Sequence, residues 1–206
     1  MNYDSEGFPT FFAAVPPLVL RDPLAEMLGA AQGGLISYRY VDAVRLAGHS
    51  CPTVAAAWGM TRHALQMLYG NEIPVRGEIE VHLTGNQDTG VAGVIGSIAM
   101  LVTGAAGPGG FKGLGGRYAR RGLLRFGEDL PMEMRFTRRD TGLAIDIMAD
   151  LSVVPPSPLM GPLLQAIIGG ADGTAQRTEF ADLWQERVRR ILIEHADDPA
   201  LFVIKH

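Results

Sequence analysis

The chain has 206 residues, 47% of them hydrophobic, with 18 Lys and Arg against 22 Asp and Glu for a formal charge of −4, and a single cysteine. That is enough for one domain with a sizeable core; the acidic balance argues against a nucleic-acid surface. The lone cysteine excludes an internal disulfide and a zinc site built from several cysteines of one chain, and no run of about 18 apolar residues marks a membrane span.

The acidic start Met1-Asn2-Tyr3-Asp4-Ser5-Glu6 lacks the basic region of a secretory signal, so a cytoplasmic protein is expected. Residues 1–22 mix aromatics with Pro16-Pro17 and read as an arm packed on the surface or on a partner chain. Asp22-Pro23 starts a helix, with Asp22 as N-cap and Pro23 in the first turn; Gly33-Gly34 closes it. Leu35 to Tyr40 alternates as a strand does, and Val41 to Ala47 is a short helix or turn leading into Gly48. Pro52 to Gly70 is the strongest helix signal: a proline in the first turn, apolar Val54, Trp58, Leu65 and Leu68, and Gly70 as the stop. Val75 to Thr84 alternates apolar and polar residues, the pattern of a half-buried strand. Val91 to Val102 is an apolar helix of small residues, suited to close packing on its neighbours or on a second copy of the chain.

Thr103 to Gly116 contains seven glycines and reads as a long loop. Leu123 to Phe126, Met132 to Thr137 and Leu143 to Met148 read as strands joined by turns. Pro155-Pro156-Ser157-Pro158 then breaks the chain. Leu159 to Gly169 is a short apolar helix, Thr178 to His195 an amphipathic one, and Ala200 to Ile204 a last strand. The mixed order predicts an α+β fold, a mixed or antiparallel sheet packed with helices, in a single domain over 1–206. Residues 155–206 are expected as a C-terminal helical extension.

Gly48-His49-Ser50-Cys51-Pro52 is the most chemically pointed segment. Cys51 stands at or beside a helix N-cap, where unpaired N–H groups and the dipole stabilise a thiolate. Thiolate and imidazole both suit zinc, iron and copper. In an extended stretch residues two apart point the same way, so His49 and Cys51 can converge on one ion. The same residues also fit a buried cysteine beside a hydrogen-bonded histidine, or a metal-free enzyme with Cys51 as nucleophile and His49 as base.

Ala47-Gly48-His49-Ser50-Cys51-Pro52-Thr53-Val54-Ala55 resembles the G-H-x-C-P-G-x-A signature of the FmdE family, which takes its name from a component of formylmethanofuran dehydrogenase. The likeness continues through the helix to Gly70, the strand Gly77 to Leu83 and the glycine-rich segment ending at Phe126. The resemblance implies an α+β domain, a homodimer, and a transition metal ion, most often zinc, on His49 and Cys51. Haem or iron held through the same residues, in a non-catalytic binding module, is the alternative cofactor. The chain departs from the family in three places: Thr53 replaces a glycine, Gly85-Asn86-Gln87-Asp88 has no second cysteine, and there is no C-terminal zinc ribbon.

Asp88 falls where the family's extra cysteine would, which makes it the candidate third ligand; it equally suits an Asx-turn or a helix N-cap. His82 alternates with Glu78 and Glu80 and is expected to be exposed. His63 is expected to point away from the site, and His195 to offset the dipole in the last turn of its helix. In the glycine-rich segment, Lys112 and Arg117 are candidates for holding a small anionic ligand, because closely approaching backbone N–H groups and added cations suit a carboxylate or phosphate. The segment is not a phosphate-binding P-loop, since G-x-x-x-x-G-K-[ST] is absent. A tightly turning connection explains the glycines equally well.

Overall fold

On strand β3 (Ile79–Leu83), Ile79, Val81 and Leu83 are buried while Glu80 and His82 face the other way, the period-two alternation of a one-sided sheet. The computed structural model describes residues 1–170 and 173–205. β3 lies in a five-stranded sheet with β4 (Leu124–Arg125), β5 (Met134–Arg138), β6 (Ala144–Ala149) and β7 (Phe202–Lys205), in the order β4-β3-β5-β6-β7. The β3–β4 pair is parallel and the others antiparallel. Register sets Val81 opposite Phe136 and Phe136 opposite Ile145, one apolar row. The next row, Arg125-His82-Arg135-Asp146-Lys205, is charged and lies on the opposite face. The fold is α+β with a mixed sheet, as expected.

Two helices cover the apolar face. α3 (Pro52–Tyr69) packs on β6, β5 and β7, and α4 (Ala92–Thr103) packs on α3 and β3. Small residues make the close approach possible. A Cβ on Gly59 of α3 would overlap the Phe202 ring, and one on Gly96 of α4 would sit 2.6 Å from Phe126 Cζ. The small residues of α4 therefore serve packing within the chain, one of the two roles the sequence offered.

β1 (Leu18–Arg21) and β2 (Leu35–Tyr38) form a separate antiparallel ribbon joined through α1 (Pro23–Met27), and α2 (Tyr40–Ala47) follows. The Asp22 carboxylate accepts the N–H groups of Leu24 and Ala25, the cap read from the sequence. Within residues 1–22, Phe12, Val15, Leu18 and Leu20 are buried, with Phe12 edge-on to Tyr40, while residues 1–7 are exposed. Among the described residues, the C-terminal segment holds two helices and a last strand. After α5 (Met160–Ile168) and α6 (Thr174–Arg189), which runs into a π-type turn over Arg190–Glu194, β7 joins the sheet beside β6. Residues 171, 172 and 206 of that expected span lie outside the described residues. Among the described residues no helix is long and apolar enough to cross a membrane.

Candidate functional site

α2 ends on Gly48, whose φ of 75° is left-handed and free of strain only in glycine. That turn leaves three residues, His49, Ser50 and Cys51, before α3. Cys51 is the N-cap: its backbone is extended, and its Sγ accepts the N–H of Val54 at 3.4 Å. His49 Nδ1 lies 2.9 Å from the Ala47 carbonyl oxygen. A carbonyl only accepts, so Nδ1 carries a proton, and in the neutral ring this makes Nε2 the lone-pair nitrogen, on an exposed side chain. This is the tautomer that a metal-ligating histidine takes when its second nitrogen is held by a backbone carbonyl.

Ser50, between them, is clamped from three sides. Its Oγ is 3.0 Å from the Tyr40 hydroxyl, and its carbonyl accepts Trp184 Nε1 at 2.9 Å and Gln185 Nε2 at 3.0 Å. Burial raises the Tyr40 phenol far above its usual range, with Cys51 adding to the shift and the Ser50 hydrogen bond opposing it, so the hydroxyl stays protonated. No hydrogen bond joins His49 to Cys51 among the described residues.

A zinc ion takes four donors in a structural site and three from protein in a catalytic one. Among the described residues no group of three or more His, Cys, Asp and Glu side chains is gathered for a metal. His49 and Cys51 by themselves offer at most two donors, borderline nitrogen and soft sulfur. Asp88 is exposed and its Oδ1 accepts the Thr89 hydroxyl at 3.4 Å; the N-cap of α4 is Val91, not Asp88. His63 is engaged elsewhere, its Nε2 2.8 Å from the Ala196 carbonyl and its ring against Phe202. His195 bonds Asp198 at 2.8 Å. His82 is not exposed as expected: its side chain is 17% accessible and Nε2 is buried without a hydrogen-bond partner, because Arg125 and Arg135 flank it across the sheet.

The glycine-rich segment is a tightly turned structure. Leu114 and Arg117 exchange both backbone hydrogen bonds, at 2.8 and 2.9 Å, around Gly115 and Gly116, whose φ values of 54° and 78° are those of a two-residue hairpin turn. The turn presents Arg117 to a cleft of about 700 Å³ that is also lined by Arg21, Glu78 and Arg139; Lys112, His49 and Cys51 are not among its lining residues. Cys51 precedes α3, whereas Val75 and Glu78 of the cleft follow it. The expected partnership of Arg117 with the His49–Cys51 pair is therefore not one that the cleft provides.

Beside the cleft lies a buried ionic cluster that the sequence did not announce. Asp22, 4% exposed, binds Arg76 Nη1 at 3.0 Å and Arg120 Nη2 at 2.7 Å. Burial pushes the Asp22 carboxyl up, but the Arg76 hydrogen bond, the Ala25 N–H and the two guanidinium charges more than offset it, and its pKa lies below the usual range. A scan against protein-family models finds no match for this chain, and no curated protein matches it in sequence.

Proposed function

We propose that the chain is a divergent relative of the FmdE family: a metal-binding α+β protein, homodimeric, that holds a transition metal, zinc by preference, on Cys51 and His49. The observation that carries this reading is the posture of the pair. The imidazole Nε2 is left free and outward by the Nδ1–Ala47 hydrogen bond, and the thiol sits on the positive end of an 18-residue helix with the Val54 N–H on its sulfur. Ser50, fixed by Tyr40, Trp184 and Gln185, holds the two donors in one short rigid segment. Two donors leave coordination positions for water, for a small ligand, or for a group of the second copy. A bound metal in such an open site supplies Lewis acidity.

A second reading rests on the same capping bond. The Val54 N–H that steadies a ligated thiolate also steadies a nucleophilic one, and His49 would serve as its base by turning towards Cys51, to which it is not hydrogen-bonded here. Elemental analysis of protein purified without added metal separates the two. Near-stoichiometric zinc, lost in Cys51→Ala and reduced in His49→Ala, supports the metal site; full metal content in Cys51→Ala sinks it. Rapid alkylation of Cys51 that chelation leaves unchanged favours the nucleophile. A Soret band in the purified protein would transfer the reading to haem.

A further inference from the structure

The cleft beside the glycine-rich turn is independent of the metal reading. Its polar wall consists of three arginines, Arg21, Arg117 and Arg139, and two glutamates, Glu26 and Glu78. Four of these pair with one another, Arg21 with Glu26 at 3.0 Å and Arg139 with Glu78 at 3.1 Å, and Glu80, just outside the cleft, also reaches Arg139 at 3.6 Å. Arg117 has no carboxylate partner among the described residues; its guanidinium lies over the ring of its neighbour Tyr118, 5.1 Å from the centroid. Arg117 is thus the cleft-wall cation whose own guanidinium is left open to an incoming anion, in a chain whose net charge is −4.

Two more cations stand behind that wall. In the Asp22–Arg76–Arg120 cluster two guanidiniums share one carboxylate. The Arg120 side chain is 8% exposed and its Nη1 is buried with no hydrogen-bond partner. That atom occupies the space where a Cβ of Gly77 would be, between the cleft residues Val75 and Glu78. Arg21, Arg76, Arg117, Arg120 and Arg139 against Asp22, Glu26, Glu78 and Glu80 leave one surplus positive charge here in an acidic molecule, with the exposed Arg117 as its open end.

The backbone at the cleft is held in an unusual state. Tyr118, with φ 63°, is the one non-glycine residue with positive φ among the described residues. A bulky L-residue adopts that conformation at an energetic cost, and such costs concentrate where a side chain must be aimed. Here the residue is Tyr118, which lines the cleft beside Arg117, with Pro23 and Met27 as apolar lining. The volume of about 700 Å³ suits a drug-sized molecule rather than a bare ion.

We propose that this cleft binds a small molecule with an aromatic or other flat apolar body and one anionic group, a carboxylate or a phosphate, with Arg117 on the anion and Tyr118 against the body. The test uses the full chain and four probes: 2-naphthoate, 2-naphthyl phosphate, neutral 2-naphthol and inorganic phosphate. Binding is measured by isothermal titration, and the site is located by amide chemical shifts. Saturable binding of one or both naphthyl anions is expected, at least about tenfold tighter than 2-naphthol, with shifts over 115–119. Whichever naphthyl anion binds tighter names the head group. Arg117→Ala should weaken that anion about tenfold, with Arg117→Lys between. Arg117 is exposed, so both variants should keep the parent unfolding transition, which circular dichroism checks. The proposal is overturned if 2-naphthol binds as tightly as the anions, if inorganic phosphate binds as tightly as they do, or if Arg117→Ala binds them unchanged.

Discussion

His82 shows how one side chain makes stability depend on pH. Its ring lies on the charged face of the sheet between Arg125 and Arg135, with Nε2 buried and unbonded and Glu80 3.8 Å away. Burial first, then Arg125, lowers its pKa below 6.5, while Glu128 and Glu80 oppose the shift in part. His63 is lowered too, chiefly by burial. A histidine with a depressed folded-state pKa binds its proton more readily in the unfolded chain. Its contribution is complete above the unfolded value of 6.5 and is lost as pH falls through 6.5 towards the folded value. Urea midpoints should therefore drop between pH 7.5 and pH 5, and His82→Gln should flatten that slope; an unaltered slope would remove His82 as its source. Asp22 illustrates a larger charge effect at the same scale. Asp22→Asn keeps a capping oxygen on α1 but leaves Arg76 and Arg120 buried around no charge. A loss of about 3–5 kcal/mol is expected, and a loss below about 1 kcal/mol in urea unfolding would mean that water reaches the two guanidiniums despite the 4% exposure of the carboxylate between them.

At the scale of elements, α3 sets two opposing effects of one methyl group against each other. Gly59 lies inside α3, where Gly→Ala ordinarily gains about 1 kcal/mol of helix propensity. Here the added Cβ would overlap the Phe202 ring, which is 3% exposed and stacked on His63, so it has little room to yield. Overpacking costs about 1–3 kcal/mol and should win. Gly59→Ala is expected to lower the thermal midpoint, and pairing it with Phe202→Leu should restore part of the loss. This contact also marks the limit of reading the sequence. Three helix ends were legible because caps are local: Asp22-Pro23, Cys51-Pro52 and Gly70 each lie within a residue or two of the boundary they set, whereas α1 stops at Met27 rather than at Gly33-Gly34 and α6 starts at Thr174 rather than at Thr178. Alternation marked β2 and β3, but β1 (Leu18–Arg21) was missed, since it lies in the segment read as an arm and pairs with β2 only through folding. The burial of Phe12 was not legible, since it depends on Tyr40 arriving from another element. The candidate site divides in the same way. The posture of Cys51 was readable from one pentapeptide, whereas the Trp184 and Gln185 clamp on Ser50 spans 134 and 135 residues. Arg117 could be singled out within its glycine run, but Arg21, Glu78 and Arg139 reach the cleft through folding alone.

For the whole molecule, the C-terminal quarter decides whether there is one cooperative unit or a domain with an appendage. Val188, Ile191, Leu192, Leu201 and Phe202 all belong to the core, and β7 covers what would otherwise be the open edge of β6. Arg187 ties α6 to the carbonyls of Val154 and Leu151 at 2.7 and 3.1 Å, and Arg62 of α3 reaches Asp197 and the Ala196 carbonyl. A chain ending at Val154 would lose all of these at once and leave Trp58 and Gly59 facing water. Each buried Val, Leu, Ile or Phe is worth roughly 1.5–3 kcal/mol, so five of them exceed the lower end of the roughly 5–15 kcal/mol that a domain typically has in reserve. The truncated chain should lose its near-ultraviolet circular dichroism and bind a hydrophobic dye; a sharp thermal transition near that of the intact chain would instead show that the first 154 residues fold alone. The same cut tests the link between fold and site. Because α6 supplies two of the three groups that hold Ser50, truncation should release the segment carrying His49 and Cys51 even where secondary structure survives. Alkylation of Cys51 would then become fast in the short chain, while Trp184→Phe in the full chain, which removes one clamp and keeps the core, should accelerate it only modestly.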